Sequence, residues 1–450
     1  MNILLSTYSY YPYNWGGTEV YVAGLAAYLK KQGHLVMVIA GVPPEAFTDH
    51  PVYYEDDQLK TVKYSEKNID VIGVILKNAQ LTEIYSKYRP EWERSWRNIL
   101  KSLEKNIEWD ILHVHGITSA IGEPLIKAVN DHSPKVKIFA AYHLPVSCAK
   151  GTLMYANGLM ECNVKPGINA CTACIISEKT QLPIWITKPV AGLMPLLYEE
   201  GIAAKYRIKT LVKIFFDSWR RLDQLIDQWH VFSIKTELVM QDAGISPSKI
   251  KLIRHGVNPV FNLIEAEKKR RKTINDTVIF LYASRFEKAK GFITLLDAWL
   301  KMPFSKDRIL YMIGDNQTAS AEEESWINKS IERSDIHWLG RQSNVALAGI
   351  MKKAQCVIIP SQCLEIGPLV FHEAIAAGAN IIASDIGGCK ELAGIYPEVS
   401  SLFKTGNPEQ LKERIINFIY HRVKYKPLLQ DENYANVCMS YNSLFNKVSI

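Results

Sequence analysis

Pro360-Ser361-Gln362-Cys363-Leu364-Glu365-Ile366-Gly367-Pro368-Leu369-Val370-Phe371-His372-Glu373-Ala374 begins where an apolar run, Cys356 to Ile359, ends, and it leads into helically spaced residues from Val370 to Ala377. A buried strand, a tight turn and a helix make the unit from which parallel sheets are built. The first N–H groups of a helix have no partner within it, and with the helix dipole they favour an anion such as phosphate. Gly367 lets backbone approach a ligand closely. Glu365 stands at the mouth of the turn and Glu373 within the helix, so two carboxylates could hold hydroxyls at two ends of one ligand. A helix cap with a surface glutamate accounts equally well for these residues taken alone.

The same alternation extends to both sides. Val278 to Ala283, Ile309 to Ile313, Ile336 to Leu339 and Asn380 to Ala383 read as strands, with a helix at Phe292 to Leu300. Ala283-Ser284-Arg285-Phe286-Glu287-Lys288-Ala289-Lys290-Gly291 follows the first of these strands. Arg285, a planar fork, and Lys290, a point charge, could both reach a diphosphate. A basic surface loop is the plain alternative. Near the N-terminus, strand Asn2 to Ser6 is followed by the Gly16-Gly17 turn and a helix that Thr18 could cap, with Val20, Val22, Leu25, Ala26 and Leu29 on one side. Leu35 to Ala40, Ile111 to Val114, Val136 to Ala141, Val231 to Ser233 and Ile250 to Ile253 continue as strands. Basic residues from Ala266 to Asp276 read as a linker. Tyr434 to Phe445 has helical spacing. The expected architecture is α/β, two parallel-sheet domains with a ligand crevice between them. The first domain covers 1–262, with an insertion at 148–174, and the second 263–430; a terminal helix at 431–450 packs back on the first.

With 450 residues, 48% hydrophobic and 22% charged, the chain has the composition of a folded two-domain protein. No apolar run reaches the roughly 18 residues of a membrane span. The N-terminus has no export signal, so a cytoplasmic location is expected, with the inner face of the cell membrane as a further site. A net charge of +7 suits phosphate ligands or an anionic membrane, and no nucleic-acid motif is present. From Lys205 to Trp229, basic residues mix with Leu211, Ile214, Phe215, Phe216 and Trp219. A basic amphipathic helix on lipid and a core helix with a solvated basic face fit equally.

His143 follows a strand and could donate to a sugar hydroxyl or a phosphate, although such a histidine is more often an ordinary hydrogen-bonding residue. His113 and His115 alternate along a strand, where packing is the expected role rather than metal binding. No D-x-D triplet offers adjacent carboxylates for a divalent cation, so a leaving diphosphate would be neutralised by Arg285, Lys290 and backbone dipoles. Cys148, Cys162, Cys171 and Cys174 are clustered in a loop-like insertion and end in C-x-x-C, which predicts a closed structural zinc site of four thiolates. An iron–sulfur cluster or unmetallated thiols are the alternatives. Cys356, Cys363, Cys389 and Cys438 are scattered and read as small core residues.

Together these motifs resemble the GT-B glycosyltransferases, specifically the large retaining family four. The resemblance runs almost the whole length. It includes Gly16-Gly17-Thr18-Glu19, Asp110 to His115, Lys251 to Asn258, Arg285…Lys290-Gly291, the pair Glu365 and Glu373, and Ala383 to Gly388 with Glu391. It implies an enzyme that moves a sugar from a UDP-, GDP- or other nucleotide-sugar donor to a glycan or lipid-linked acceptor in cell-surface polysaccharide synthesis, with no cofactor required for transfer. Arg285 and Lys290 would hold the diphosphate and Glu373 the ribose. Glu365 and the backbone of Gly367, Pro368, Leu369 and Val370 would hold the donor sugar and phosphate. Gly16 and Gly17 would line the donor from the N-terminal side, and His143 would lie near its sugar. A subset of the family has a cysteine-rich loop at this place, on the acceptor side. Departures are His255 for the usual Asn and Ser284 for a common Gly. The rival readings are a GT-B-fold epimerase or phosphorylase, and a non-catalytic nucleotide-sugar-binding protein.

Overall fold

The structure, a computed structural model, describes residues 1–14, 16–77, 89–103, 107–117, 121–142, 147–155, 158, 160–199, 201–203, 205–257, 259–261, 277–315, 320–420, 439–441, 443 and 445. It divides into two units: Met1–Gly151, Val164–Ile253 and Cys438–Ile450 in the first, Thr152–Asn163 and Arg254–Val437 in the second. The linker residues 266–276 fall outside the described residues, as does the 434–438 part of the terminal helix. No helix among the described residues is long and apolar enough to cross a membrane.

In chain order the strands of the first half are β1 (Asn2–Thr7), β2 (Leu35–Gly41), β3 (Val52–Glu55), β4 (Leu59–Glu66), β5 (Ile69–Leu76), β6 (Ile111–Val114), β7 (Lys137–Ala141), β8 (Met154–Tyr155), β9 (Met160–Glu161), β10 (Gln228–Val231) and β11 (Ile250–Leu252). Among the described residues the sheet of the first unit runs β11-β10-β7-β6-β1-β2-β5-β4-β3. It is parallel from β11 to β5, and β3 and β4 pair antiparallel at one edge. β1 and β6 are almost wholly buried, as central strands covered on both faces must be. The helix after β1 starts at Gly17 with Gly16 as its N-cap, so Thr18 lies inside it rather than capping it. Glu19 packs against this turn: it accepts from the Ser9 hydroxyl at 2.8 Å, and a Cβ on Gly16 would lie 2.4 Å from its carboxylate.

His113 and His115, two residues apart, point to one face, are fully buried, and stand ring against ring at 4.0 Å. The terminal segment closes over them. Tyr441, in helical residues 439–441, lies 5.1 Å from the His113 ring and shares a 2.6 Å hydrogen bond with Tyr21. Its hydroxyl also meets His230 Nδ1 at 2.5 Å, while His230 Nε2 meets the Ile253 carbonyl at 2.8 Å. A carbonyl can only accept, so Nε2 carries the proton and Nδ1 accepts from Tyr441. Burial lowers the His230 pKa to about 4.

The second unit is built from β12 (Val278–Ala283), β13 (Arg308–Ile313), β14 (Ile336–Gly340), β15 (Cys356–Ile359), β16 (Asn380–Ser384) and β17 (Ser400–Phe403), all parallel, in the order β14-β13-β12-β15-β16-β17. Successive side chains go to opposite faces. Phe280, Tyr282, Cys356 and Ile358 join Trp299 in one apolar layer, and Leu281, Val357 and Ile359 join Phe371 in the other. The chain leaves β12 in one direction and returns to β15 on its other side. The direction of winding therefore switches between β12 and β15, the place where open α/β sheets bind ligands beyond the carboxyl ends of their strands.

Two stability outcomes follow. Gly291 has φ +72°, and a Cβ there would lie 1.7 Å from the Pro360 carbonyl oxygen. Gly291→Ala should therefore lower the thermal midpoint by several degrees or abolish soluble expression, and an unchanged midpoint would show that the Pro360 loop yields freely. His230, with its folded pKa depressed below the unfolded value, contributes stability that is present above about pH 6.5 and lost as pH falls towards 4. Acid titration of His230→Gln should show a shallower loss across that window than the wild type.

Candidate functional site

Beyond the carboxyl end of β12 the chain turns through Arg285 to a short 3-10 turn, Lys288–Lys290, and Gly291 then admits helix Phe292–Leu300. Beyond β15 it runs through residues 360–368 to helix Leu369–Ala377, whose N-cap, Pro368, gives no side-chain cap. These segments flank the switch point. Gln362 N–H donates to the Ala289 carbonyl at 2.8 Å, and the Ser384 hydroxyl donates to the Ser361 carbonyl at 2.7 Å. Gly388 N–H donates to the Glu365 carbonyl at 2.6 Å, and a Cβ on Gly387 or Gly388 would crowd that same oxygen at 2.7 or 2.9 Å.

On this frame Lys290 Nζ donates to Glu365 Oε1 at 2.8 Å, and the Ser361 hydroxyl donates to the same oxygen at 2.8 Å. Burial works to raise the Glu365 pKa, but Lys290 and the hydrogen bonds outweigh it and hold the carboxyl ionised. Lys290 is held charged by the same pairing, against its own burial. Arg285 is at the same end of the sheet but exposed, with its guanidinium 2.6 Å from Glu287. Cys363 is beside Glu365, and burial together with that carboxylate pushes its thiol up to about 11, so it is no nucleophile at neutral pH. Glu373 is half-buried on its helix, and desolvation raises its carboxyl to about 7. The structure therefore places Arg285, Lys290, Glu365, Gly367, Pro368, Leu369, Val370 and Glu373 on loops and a helix beyond the carboxyl ends of β12 and β15. Gly16 and Gly17 follow β1 in the first unit, and His143 lies outside the described residues.

Two pairings were not apparent from sequence. Glu391, on helix Gly387–Ile395, holds Arg254 at 2.6 Å and so ties it to the helix that begins at the glycine pair. Glu161, at the end of the β8–β9 hairpin, accepts from Gly387 N–H at 2.6 Å beside the Glu365 carbonyl. A lone glutamate in a loop gives no sequence signal of such a contact.

The zinc expectation finds no support among the described residues: no group of three or more His, Cys, Asp or Glu side chains there could hold a metal ion. Cys171 and Cys174 are one turn apart on helix Ile168–Thr180, and Cys162 N–H donates to the Leu153 carbonyl at the base of the β8–β9 hairpin. Nor does the insertion lack a core: Ile168, Cys171, Ile175 and Ile176 pack on Ala149, Ile208, Val212, Phe215 and Phe216. The same packing settles the helix from 205 onward. Helix Ile208–Leu225 buries Val212, Phe215, Phe216, Trp219 and Leu222, so its apolar face is spent inside the protein.

Residues 264–430 match the family described as Glycosyl transferases group 1. The chain is 30% identical over 141 residues to a lipopolysaccharide 1,2-N-acetylglucosaminetransferase of Salmonella typhimurium, covering 30% of this chain and 36% of that protein. It spans about two fifths of the length of the curated relatives it matches. Among solved structures it is similar to a sucrose-phosphate synthase of Thermosynechococcus elongatus (TM-score 0.63, 16% identity, 100% and 99% of the two chains covered). It is also similar to Anabaena Alr3699/HepE, whose structure holds UDP and glucose (TM-score 0.59, 13% identity, 99% of each chain). Residues 264–430 thus match the model of the glycosyl transferases group 1 family, and the two-unit α/β fold is that of solved GT-B glycosyltransferases.

Proposed function

We propose that the protein is a retaining glycosyltransferase of family four that moves a sugar from a nucleotide-sugar donor to a glycan or lipid-linked acceptor, in the synthesis of a cell-surface polysaccharide or glycoconjugate. The observation that carries this reading is the Lys290–Glu365 pair bridging the switch point, next to a helix start that has no side-chain cap. Lys290 and Arg285 face the diphosphate, the backbone of Gly367 to Val370 takes phosphate and donor sugar, and Glu373 takes the ribose. The bond from the anomeric carbon to the phosphate oxygen breaks, the acceptor oxygen attacks from the same face, and the departing phosphate takes the acceptor's proton. These cations and backbone dipoles neutralise the leaving group. The domain limits at 262 and 430 belong to this proposal, as does a cytoplasmic site of action. A UDP or GDP donor is the first to test.

Arg285→Ala should fold normally, since its side chain is exposed, and should lose about 10²–10³ in turnover. Lys290→Ala should lose at least as much; because it uncovers Glu365, its thermal midpoint must be read alongside. Wild-type turnover in Arg285→Ala and in folded Lys290→Ala would reject the assignment. Nucleotide release that proceeds at full rate without acceptor would favour the epimerase or phosphorylase reading.

Glu373 ionises in the folded protein only near pH 7. A carboxylate accepts from ribose hydroxyls better than a carboxylic acid, so nucleoside diphosphate affinity should rise from pH 6 to 8 and lose that rise in Glu373→Gln. The sign for stability is opposite. A raised carboxyl pKa contributes stability that is full below about 4.5 and lost as pH passes 7, so the wild type should lose stability relative to Glu373→Gln across that range.

A further inference from the structure

Helix Ile184–Leu193, sequence IWITKPVAGL, carries one charge in ten residues yet buries only Thr187 and Ala191. Those two face helix Ile168–Thr180, where the Thr187 hydroxyl donates to the Ala173 carbonyl at 3.0 Å. Positions 185, 189 and 193 recur every four residues on the opposite side. Trp185 is 73% exposed and Leu193 88%. Exposed single apolar residues are ordinary, but a whole exposed face of a helix is not. The surface continues past the helix with Leu196 and Tyr198, both exposed.

The basic start of helix Ile208–Leu225 adjoins it. Lys209 Nζ donates to the Gly192 and Met194 carbonyls at 3.1 and 2.9 Å, closing the C-terminal end of the apolar helix. Lys205 lies over the exposed Tyr206 ring. Residues 184–213 hold five basic and two acidic side chains, a net +3 of the chain's +7 in thirty residues. Two copies of such a face would meet with like charge. An anionic bilayer instead offers headgroups to the lysines, an apolar layer to Trp185 and Leu193, and an interface where Trp and Tyr rings are at home.

We propose that this face, centred on Trp185, Pro189 and Leu193 and flanked by Lys188 and Lys205, binds the surface of an anionic membrane. It is a different element from the helix that sequence analysis singled out, and it needs no donor or acceptor, so it stands or falls apart from the transferase reading. The test is co-flotation of the full chain with vesicles of phosphatidylcholine alone and of equal parts phosphatidylcholine and phosphatidylglycerol. The wild type should float with the anionic vesicles only, less so as salt rises. Trp185→Ser combined with Leu193→Ser should cut binding about tenfold or more with an unchanged thermal midpoint. Lys188→Glu with Lys205→Glu should weaken binding and flatten its salt dependence. Failure of the wild type to float, or equal flotation of the variants, would overturn the proposal. So would a wild-type oligomer that Trp185→Ser dissociates without any vesicle binding, which would give the face to a second copy.

Discussion

A carboxylate taken out of water needs a cation, and in the second unit Glu365 finds one in Lys290 across the gap between β12 and β15. The two come from strands that are adjacent in space but separated by two complete strand–helix excursions in sequence. Bringing them within 2.8 Å therefore constrains both loops at once. Three glycines make this possible: Gly291 against Pro360, and Gly387 and Gly388 against the Glu365 carbonyl. Side chains at these positions would push apart the loops that the ion pair holds together. Anions arriving beside Leu369 would meet a lysine already held charged and a helix start already oriented.

The second unit was largely legible because its central strands, β12, β15 and β16, are covered on both faces, whereas the polar edge strand β17 was missed. Covered strands read as unbroken apolar runs, and β12 and β15 were placed to the residue. The polar edge of the first unit was not. β3 and β4 have one weakly buried side, mix lysine, glutamate and tyrosine with their apolar residues, and gave no clear run. Within the site, the residue types and their order could be read, since Arg285, Lys290, Glu365 and Glu373 belong to recognisable segments. Their pairing could not be read, because pairing depends on sheet order. Glu391 was noticed as a motif member, but its partner Arg254 is 137 residues away.

Two other sequence signals were ambiguous for physical reasons. The periodicity from Lys205 to Trp229 records one apolar face, and periodicity alone does not say whether protein or lipid covers it; here protein does. Helix Ile184–Leu193 has no comparable amphipathic signature, because its buried side is made of Thr187 and Ala191 and its exposed side of Trp185 and Leu193. The cysteine spacing was suggestive of a metal, but Cys171 packs in an apolar cluster and Cys162 belongs to a hairpin whose Glu161 reaches the glycine pair instead.

On the proposed function, a nucleoside diphosphate seats at the β12/β15 switch point. Hydrogen–deuterium exchange of the full chain with and without UDP, GDP and ADP tests it most directly, since backbone amides at the helix start are themselves the expected ligands. At least one of these nucleotides should slow exchange at 285–291 and 361–373. Protection confined to other segments, or none from any of the three nucleotides at saturating concentration, would contradict this placement of the nucleotide.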